Sequence, residues 1–247
     1  MTYQPQIIAG NWKMNLTVSQ ALAFADRLLA ALKGKELSRK LILAPNFTSL
    51  QPLAAACRDS VVEIAAQNCS EHEAGAFTGE TSTAMLKDAG VAYVLIGHSE
   101  RRQIFGESDA LLAAKLKAVV TGGLIPILCV GETLEQRRQG DAVAVVTRQL
   151  TESLAGFSGS RLIVAYEPVW AIGTGETATP ENARRLHAEI RKFLRAEFSW
   201  GDEVPILYGG SAKPGNAAEL LAQPEVNGLL VGGAALDPES FLQIADA

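Results

Sequence analysis

Eight short, nearly unbroken apolar runs punctuate this chain, each about one strand-plus-helix unit from the next. They are Gln6–Ala9, Lys40–Ala44, Val61–Ala65, Ala92–Ile96, Ile125–Cys129, Leu162–Tyr166, Ile206–Tyr208 and Leu229–Val231. Continuous rather than alternating hydrophobicity marks strands buried on both faces, and such strands belong to parallel sheets with helical crossovers. Eight βα units that close on themselves make an α/β protein of (β/α)8 barrel type, with its working loops at the strand C-termini. An open doubly wound sheet shows the same alternation, and periodicity alone does not separate the two. The 247 residues suit one barrel domain over 1–247, because no linker rich in Gly, Ser or Pro divides them.

Helix signals agree with this frame. Thr17-Val18-Ser19-Gln20 is a capping box ahead of the stripe Leu22, Phe24, Leu28, Leu29 and Leu32. Thr179-Pro180-Glu181 places a cap, a first-position proline and an early acid ahead of a helix over Ala183–Phe198. One connection is long: residues 66–79 separate the third strand from a helix expected near Glu80. Loops of that length without their own structure are functional or disordered. Phe77 argues against disorder, since a solvated tip has little use for an aromatic ring, and docking on a partner surface explains it better than folding back.

The net charge of −5, with no Lys/Arg block, argues against a nucleic-acid binder. No apolar run approaches the roughly 18 residues of a membrane span. The start Met1-Thr2-Tyr3-Gln4-Pro5 has no basic-then-apolar pattern of a secretory signal. Cys57, Cys69 and Cys129 are odd in number and widely spaced, as reduced thiols of a cytoplasmic protein are. His72, His98 and His187 are too scattered to suggest a metal motif.

Several residues at strand ends have the types that carry chemistry. Glu167 follows the sixth run and precedes Pro168-Val169-Trp170-Ala171-Ile172-Gly173-Thr174-Gly175. A carboxylate at a strand mouth beneath a closing loop suits proton abstraction next to a carbonyl. Asn11 and Lys13 share the loop after the first strand and bring an amide donor and a fixed positive charge to one place. His98 follows the fourth run, and a helix starting at Ser99 would disfavour the protonated ring. Glu100 fits a carboxylate supporting the site, a salt-bridge partner for an arginine, or a proton relay. Gly209-Gly210-Ser211 and Gly232-Gly233 each follow a late strand, where backbone N–H groups can approach a phosphate closely. Gly173-Thr174-Gly175-Glu176-Thr177-Ala178 matches the loose dinucleotide pattern, but Pro168 to Ile172 separate it from the strand, so it reads as a lid.

Together these segments resemble the triosephosphate isomerase family. The likeness runs from Ala9-Gly10-Asn11-Trp12-Lys13 to Leu230-Val231-Gly232-Gly233-Ala234 and includes Ile96-Gly97-His98-Ser99-Glu100-Arg101-Arg102 and Tyr208-Gly209-Gly210-Ser211. The resemblance implies a barrel that interconverts dihydroxyacetone phosphate and D-glyceraldehyde 3-phosphate, in glycolysis and gluconeogenesis, without a cofactor. It implies Glu167 as base, His98 as the donor to the carbonyl oxygens, and Lys13 as the positive charge beside the enediolate, with Asn11 adding a donor. Gly173, Ser211, Gly232 and Gly233 match positions that bind the phosphate, and residues 168–178 match the closing lid. The family also implies a homodimer in which the loop 72–79 carries Thr78 to the neighbouring subunit's lysine. Glu176 stands where the lid hinge usually has lysine, which bears on lid kinetics. Ala212 and Ala235 replace a more usual Val and Ser, and loss of the hydroxyl at Ala235 implies modestly weaker phosphate binding. Two other functions compete: a different phosphate-handling barrel enzyme, which needs the late glycine loops but not the Asn11, Lys13, His98 and Glu167 set, and a non-catalytic barrel protein, which would have lost one of that set.

Overall fold

The eight apolar runs become β1 (Ile7–Asn11), β2 (Lys40–Ala44), β3 (Val62–Ala66), β4 (Tyr93–Ile96), β5 (Ile125–Val130), β6 (Ile163–Tyr166), β7 (Ile206–Tyr208) and β8 (Gly228–Val231). These come from a computed structural model that describes residues 6–159, 161–171 and 180–247. The helices are α1 (Val18–Leu32), α2 (Leu50–Cys57), α3 (Thr83–Asp88), α4 (Ser99–Gln103), α5 (Asp109–Thr121), α6 (Leu134–Arg138), α7 (Ala142–Ser153), α8 (Pro180–Glu197), α9 (Pro214–Leu221) and α10 (Pro238–Asp246). Each strand pairs parallel with the next, and β1 pairs with β8 through Ile7↔Gly228 and Ala9↔Leu230, so the sheet is a closed barrel. That closure removes the open-sheet alternative. Among the described residues no helix is long and apolar enough to cross a membrane.

Although the runs are continuously apolar, their side chains sort by the two-residue period of a strand. Ile7, Ala9, Ile42, Ala44, Tyr93, Leu95, Ile127, Cys129, Ile163 and Ala165 pack together inside the barrel. Ile8, Leu41, Leu43, Val94, Leu128, Val164 and Tyr166 pack outward under the helices. The inner set is graded. Ile7, Ile42, Tyr93, Ile127 and Ile163 fill the N-terminal half, whereas the next inward residues are Ala9, Ala44, Cys129 and Ala165, with the larger Leu95 on β4. Small residues there leave room at the C-terminal mouth. One inward step further falls on Asn11, Gly131, Glu167, Gly209 and Gly232, two polar side chains among glycines. At the opposite end Tyr93 Oη donates to Glu63 and accepts from Lys40 Nζ, each at 2.9 Å, tying β2, β3 and β4 together.

Local signals are mostly reproduced. Thr17 and Gln20 form the capping box of α1. Its buried face is Ala21, Phe24, Ala25, Leu28 and Leu32, with Leu22 and Leu29 only half-buried, because small alanines let the helix settle closer to the barrel. The helix expected near Glu80 begins at Thr83, since Ser82 caps it and Glu80 is held in a turn by Phe77 and its neighbours. Thr179 lies outside the described residues, and α8 starts at Pro180, the expected first-position proline. Residues 72–80 are exposed rather than folded back, and the Phe77 ring stacks on His72 with centroids 3.8 Å apart.

Candidate active site

A cavity of about 350 Å³ opens at the C-terminal mouth, lined among others by Asn11, Lys13, His98, Glu167, Ser211 and Gly232. β1, β6 and the loop after β4 deliver the first four, which lie far apart in sequence. Glu167 is 2% exposed. Its Oε1 lies 3.0 Å from His98 Nε2, and its Oε2 accepts the backbone N–H of Ser99 at 2.8 Å. Burial of a carboxylate is tolerated only when its oxygens are hydrogen-bonded, and here both are.

The tautomer of His98 follows from its second nitrogen. Nδ1 accepts the backbone N–H of Glu100 at 3.3 Å, so a lone pair of that nitrogen faces the amide. Nε2 is the ring nitrogen that faces Glu167 Oε1, the geometry from which an imidazole N–H donates. Ser99–Gln103 is the short helix expected after His98, with His98 as its cap.

Lys13 has φ of +52°, a conformation that non-glycine residues rarely adopt. Its surroundings hold it there: its N–H donates to Asn11 Oδ1 at 3.0 Å and its carbonyl accepts Gln67 Nε2 at 2.8 Å. Such over-determined strain clusters at functional sites. Asn11 therefore uses its oxygen on the loop backbone, and its NH2 group is what remains for the cavity. Lys13 Nζ is 2.6 Å from Glu100 Oε1. Of the roles open to Glu100, pairing with an arginine is ruled out by this geometry. Arg101 pairs with Glu107 at 2.7 Å and Arg102 with Asp109 at 2.5 Å. The Arg102 and Arg148 guanidiniums, with Ser153, outweigh burial and lower the Asp109 carboxyl.

The glycine side of the cavity is built from backbone. Gly209, Gly210, Ser211, Gly232 and Gly233 all line it. Asn216 braces the first loop, accepting from Lys213 N at 2.8 Å and donating to Ser211 O at 3.0 Å. A Cβ on Gly209 would stand 2.9 Å from Glu167 Cγ, so this glycine is what lets the Glu167 side chain sit where it does. Ala235 is fully buried against Gly10 and does not line the cavity. A hydroxyl there would face the core, which corrects the expectation that its loss weakens phosphate binding. Gly173, Glu176 and most of the lid span 168–178 lie outside the described residues. The described part, Val169–Ala171, is a 3-10 turn anchored by Trp170 Nε1 to Glu132 Oε1 at 2.9 Å.

Ser99, Gln67 and Glu132 went unassigned in the sequence. Ser99 acts through its backbone, which residue type does not announce. Gln67 and Glu132 act across the barrel, although Gln67 directly follows β3 and Glu132 is separated from the end of β5 by one residue, and that was the one signal available. Glu132 is completely buried and accepts from Tyr166, Arg137 and Trp170. Among the described residues no group of three or more His, Cys, Asp and Glu is placed to hold a metal ion. The three cysteines are free and buried. Burial pushes the Cys57 thiol up to about 11 and the Cys69 thiol up to about 12. Cys129, beneath Glu167, is raised by burial first and by the Glu167 charge second.

Three comparisons bear on this geometry. The family model described as "Triosephosphate isomerase" matches residues 6–247. A protein named triosephosphate isomerase from Xanthobacter autotrophicus is 51% identical over 245 residues, covering 98% of this chain and 96% of that one. One of the same name from Pelobacter propionicus is 46% identical, covering 97% of each. The crystal structure of triosephosphate isomerase from Bartonella henselae superposes with a TM-score of 0.90 at 40% identity, over 98% of both chains.

Proposed function

We propose that this chain, which belongs to the triosephosphate isomerase family, interconverts dihydroxyacetone phosphate and D-glyceraldehyde 3-phosphate by proton transfer through an enediolate. The observation that carries the reading is the buried carboxylate of Glu167 within 3.0 Å of the His98 imidazole, on one cavity with two glycine loops. The family is a standard example of such a base and neutral histidine acting beneath a closing loop.

Glu167 removes the proton from the carbon next to the carbonyl. To do so its carboxylate leaves the Ser99 N–H and His98 and turns to the substrate. The freed Nε2–H of His98 then donates to the carbonyl oxygen, where negative charge grows. Lys13 and the Asn11 amide add positive charge and a donor at the same oxygens. Donors aimed at charge that develops in the transition state lower the barrier more than they tighten ground-state binding. The amides of Ser211, Gly232 and Gly233 hold the phosphate, with Gly173 joining them from the lid. The net charge of −5 repels a phosphate dianion in bulk, so the local field of Lys13 and the amides must supply the attraction. The enediolate can expel phosphate, and closure of 168–178 keeps it until reprotonation.

The functional unit in this reading is a homodimer. A second cavity of about 290 Å³ lies beside Lys13, lined by Met14, Phe47, Gln67 and Phe105 among others. Phe47, Phe77 and Phe105 are 41%, 42% and 65% exposed, an apolar surface suited to a second copy whose loop 72–79 brings Thr78 near Lys13. High-pKa buried thiols suit a cytoplasmic location. A coupled assay with D-glyceraldehyde 3-phosphate, with and without a chelator, tests the function: turnover that survives chelation is the expected result. No turnover sinks the isomerase, and turnover lost on chelation sinks the cofactor-free mechanism. Sedimentation tests the dimer, and a fully active monomer would contradict it.

A further inference from the structure

Glu167 is held by its backbone as well as its carboxylate. Its N–H donates to Val130 O at 2.8 Å, across the β5–β6 ladder. Its carbonyl packs so closely on Gly131 that a Cβ at Gly131 would collide with it. Whatever fixes the Gly131 peptide therefore fixes one wall of the base's seat. β5 ends at Val130, so no strand does this.

The geometry points to Gln149 as the positioning residue for Glu167. Gln149 lies on α7, is 7% exposed, and turns its amide onto a single residue. Its Oε1 accepts the Gly131 N–H at 2.8 Å, and its Nε2 donates to the Gly131 carbonyl at 3.1 Å. One side chain thus satisfies both backbone groups of Gly131, in the manner of a neighbouring strand. The next residue extends the effect. Glu132 O accepts Val169 N at 3.2 Å, and its carboxylate holds Tyr166 and Trp170. Gln149 anchors the point from which both the base and the start of the lid segment are placed. A separate space of about 120 Å³ is lined by Glu167 together with Gly131, Gln149, Gln136 and Ser99. Without the clamp the Gly131 peptide has room to shift into it, and the base shifts too. A displacement of about 1 Å at a reacting group can cost about 100-fold in rate.

This inference rests on the proposed isomerase function, and the experiment separates the two. Wild type, Gln149→Leu and Gln149→Glu are assayed with D-glyceraldehyde 3-phosphate well below their melting temperatures, alongside inorganic phosphate as an inhibitor. Gln149→Leu should lower kcat about 10- to 100-fold, with KM and phosphate inhibition within about twofold of wild type. Gln149→Glu keeps the acceptor for Gly131 N–H but, when ionised, lacks the donor for Gly131 O. Its kcat relative to wild type should be low at pH 8 and recover as the pH falls and the new carboxyl regains a proton. That recovery is a readout that a merely stabilising side chain would not give. Wild-type kcat in both variants, with only the melting temperature lowered, overturns the positioning role. An inactive wild type overturns the isomerase reading instead. If Gln149→Leu does not fold, the pH profile of Gln149→Glu decides, and a flat ratio to wild type overturns the proposal.

Discussion

The two edges of the main cavity are built on opposite principles. On the β4–β6 edge, Glu167 and His98 are buried side chains, 2% and 5% exposed, locked by hydrogen bonds to Ser99 and Glu100 backbone. On the β7–β8 edge, Gly209, Gly210, Gly232 and Gly233 offer backbone, and little side chain. The first edge depends on where a functional group is placed, the second on what has been left out. Changes in side-chain length should therefore strike the first edge through kcat, and added atoms should strike the second through binding.

Glu167→Asp is the sharpest way to break that contrast. Withdrawing the carboxylate by one methylene should cut kcat on the order of 1,000-fold with KM little changed, in steady-state assays of both directions. Unchanged turnover would remove Glu167 from the mechanism.

His187 joins the two edges and reports on their common foundation. It is fully buried, its ring 5.8 Å from that of Tyr166 on β6 and 6.4 Å from that of Tyr208 on β7. Nδ1 meets the Glu225 carbonyl at 2.9 Å. Burial, with help from Arg191, pulls its pKa down from 6.5 to about 4. The unfolded chain takes up a proton below pH 6.5 while the folded chain refuses it until about pH 4. The stabilisation is whole above pH 6.5 and is lost as pH falls toward 4, amounting to about 3 kcal/mol. Denaturant unfolding at pH 7 and pH 4 should show His187→Gln with a total acid loss of stability smaller by about that amount. Identical losses would mean the ring is not held neutral.

Gly232→Ala tests the glycine edge. A Cβ there meets only Lys13 Cε, at 3.9 Å, so the fold should survive, yet the amide's approach to phosphate is obstructed. KM should rise about tenfold with kcat within a fewfold, by the ordinary meaning of lost uniform binding. A fall in kcat alone would erase the distinction between the edges. The smallest effect belongs to Ala235→Ser, whose side chain faces Gly10 in the core. KM should stay within about twofold while stability falls by about 1 kcal/mol for a buried hydroxyl, read from thermal melting. A clear gain in phosphate affinity would show that the position reaches the cavity after all.

Legibility in the sequence divides along the same line. Glu167, His98 and Lys13 were visible because a charged or titratable residue directly after an apolar run is unusual. The late glycine pairs were visible for the same reason. Gln67, Glu132 and Gln149 were not, since each acts on groups that only the fold brings near: the Lys13 and Ala44 carbonyls, the Tyr166 and Trp170 side chains, and the Gly131 peptide. Ser99 and Asn216 hold the site with groups whose direction is set only when the loops meet. The role of Glu100 stayed open among three readings until its partner proved to be Lys13 rather than an arginine.

By itself the sequence determined the eight strands, the N-terminal cap of α1 and the chemistry present at the strand ends. Hydrophobic period and capping are local, and a window of a few residues carries them. Tertiary structure alone decided that β1 meets β8, that Glu167 lies 3.0 Å from His98, and that Lys13 reaches Glu100 across 87 positions of chain. Such distances depend on how the sheet twists and closes, a property of all eight strands together and of none of them singly.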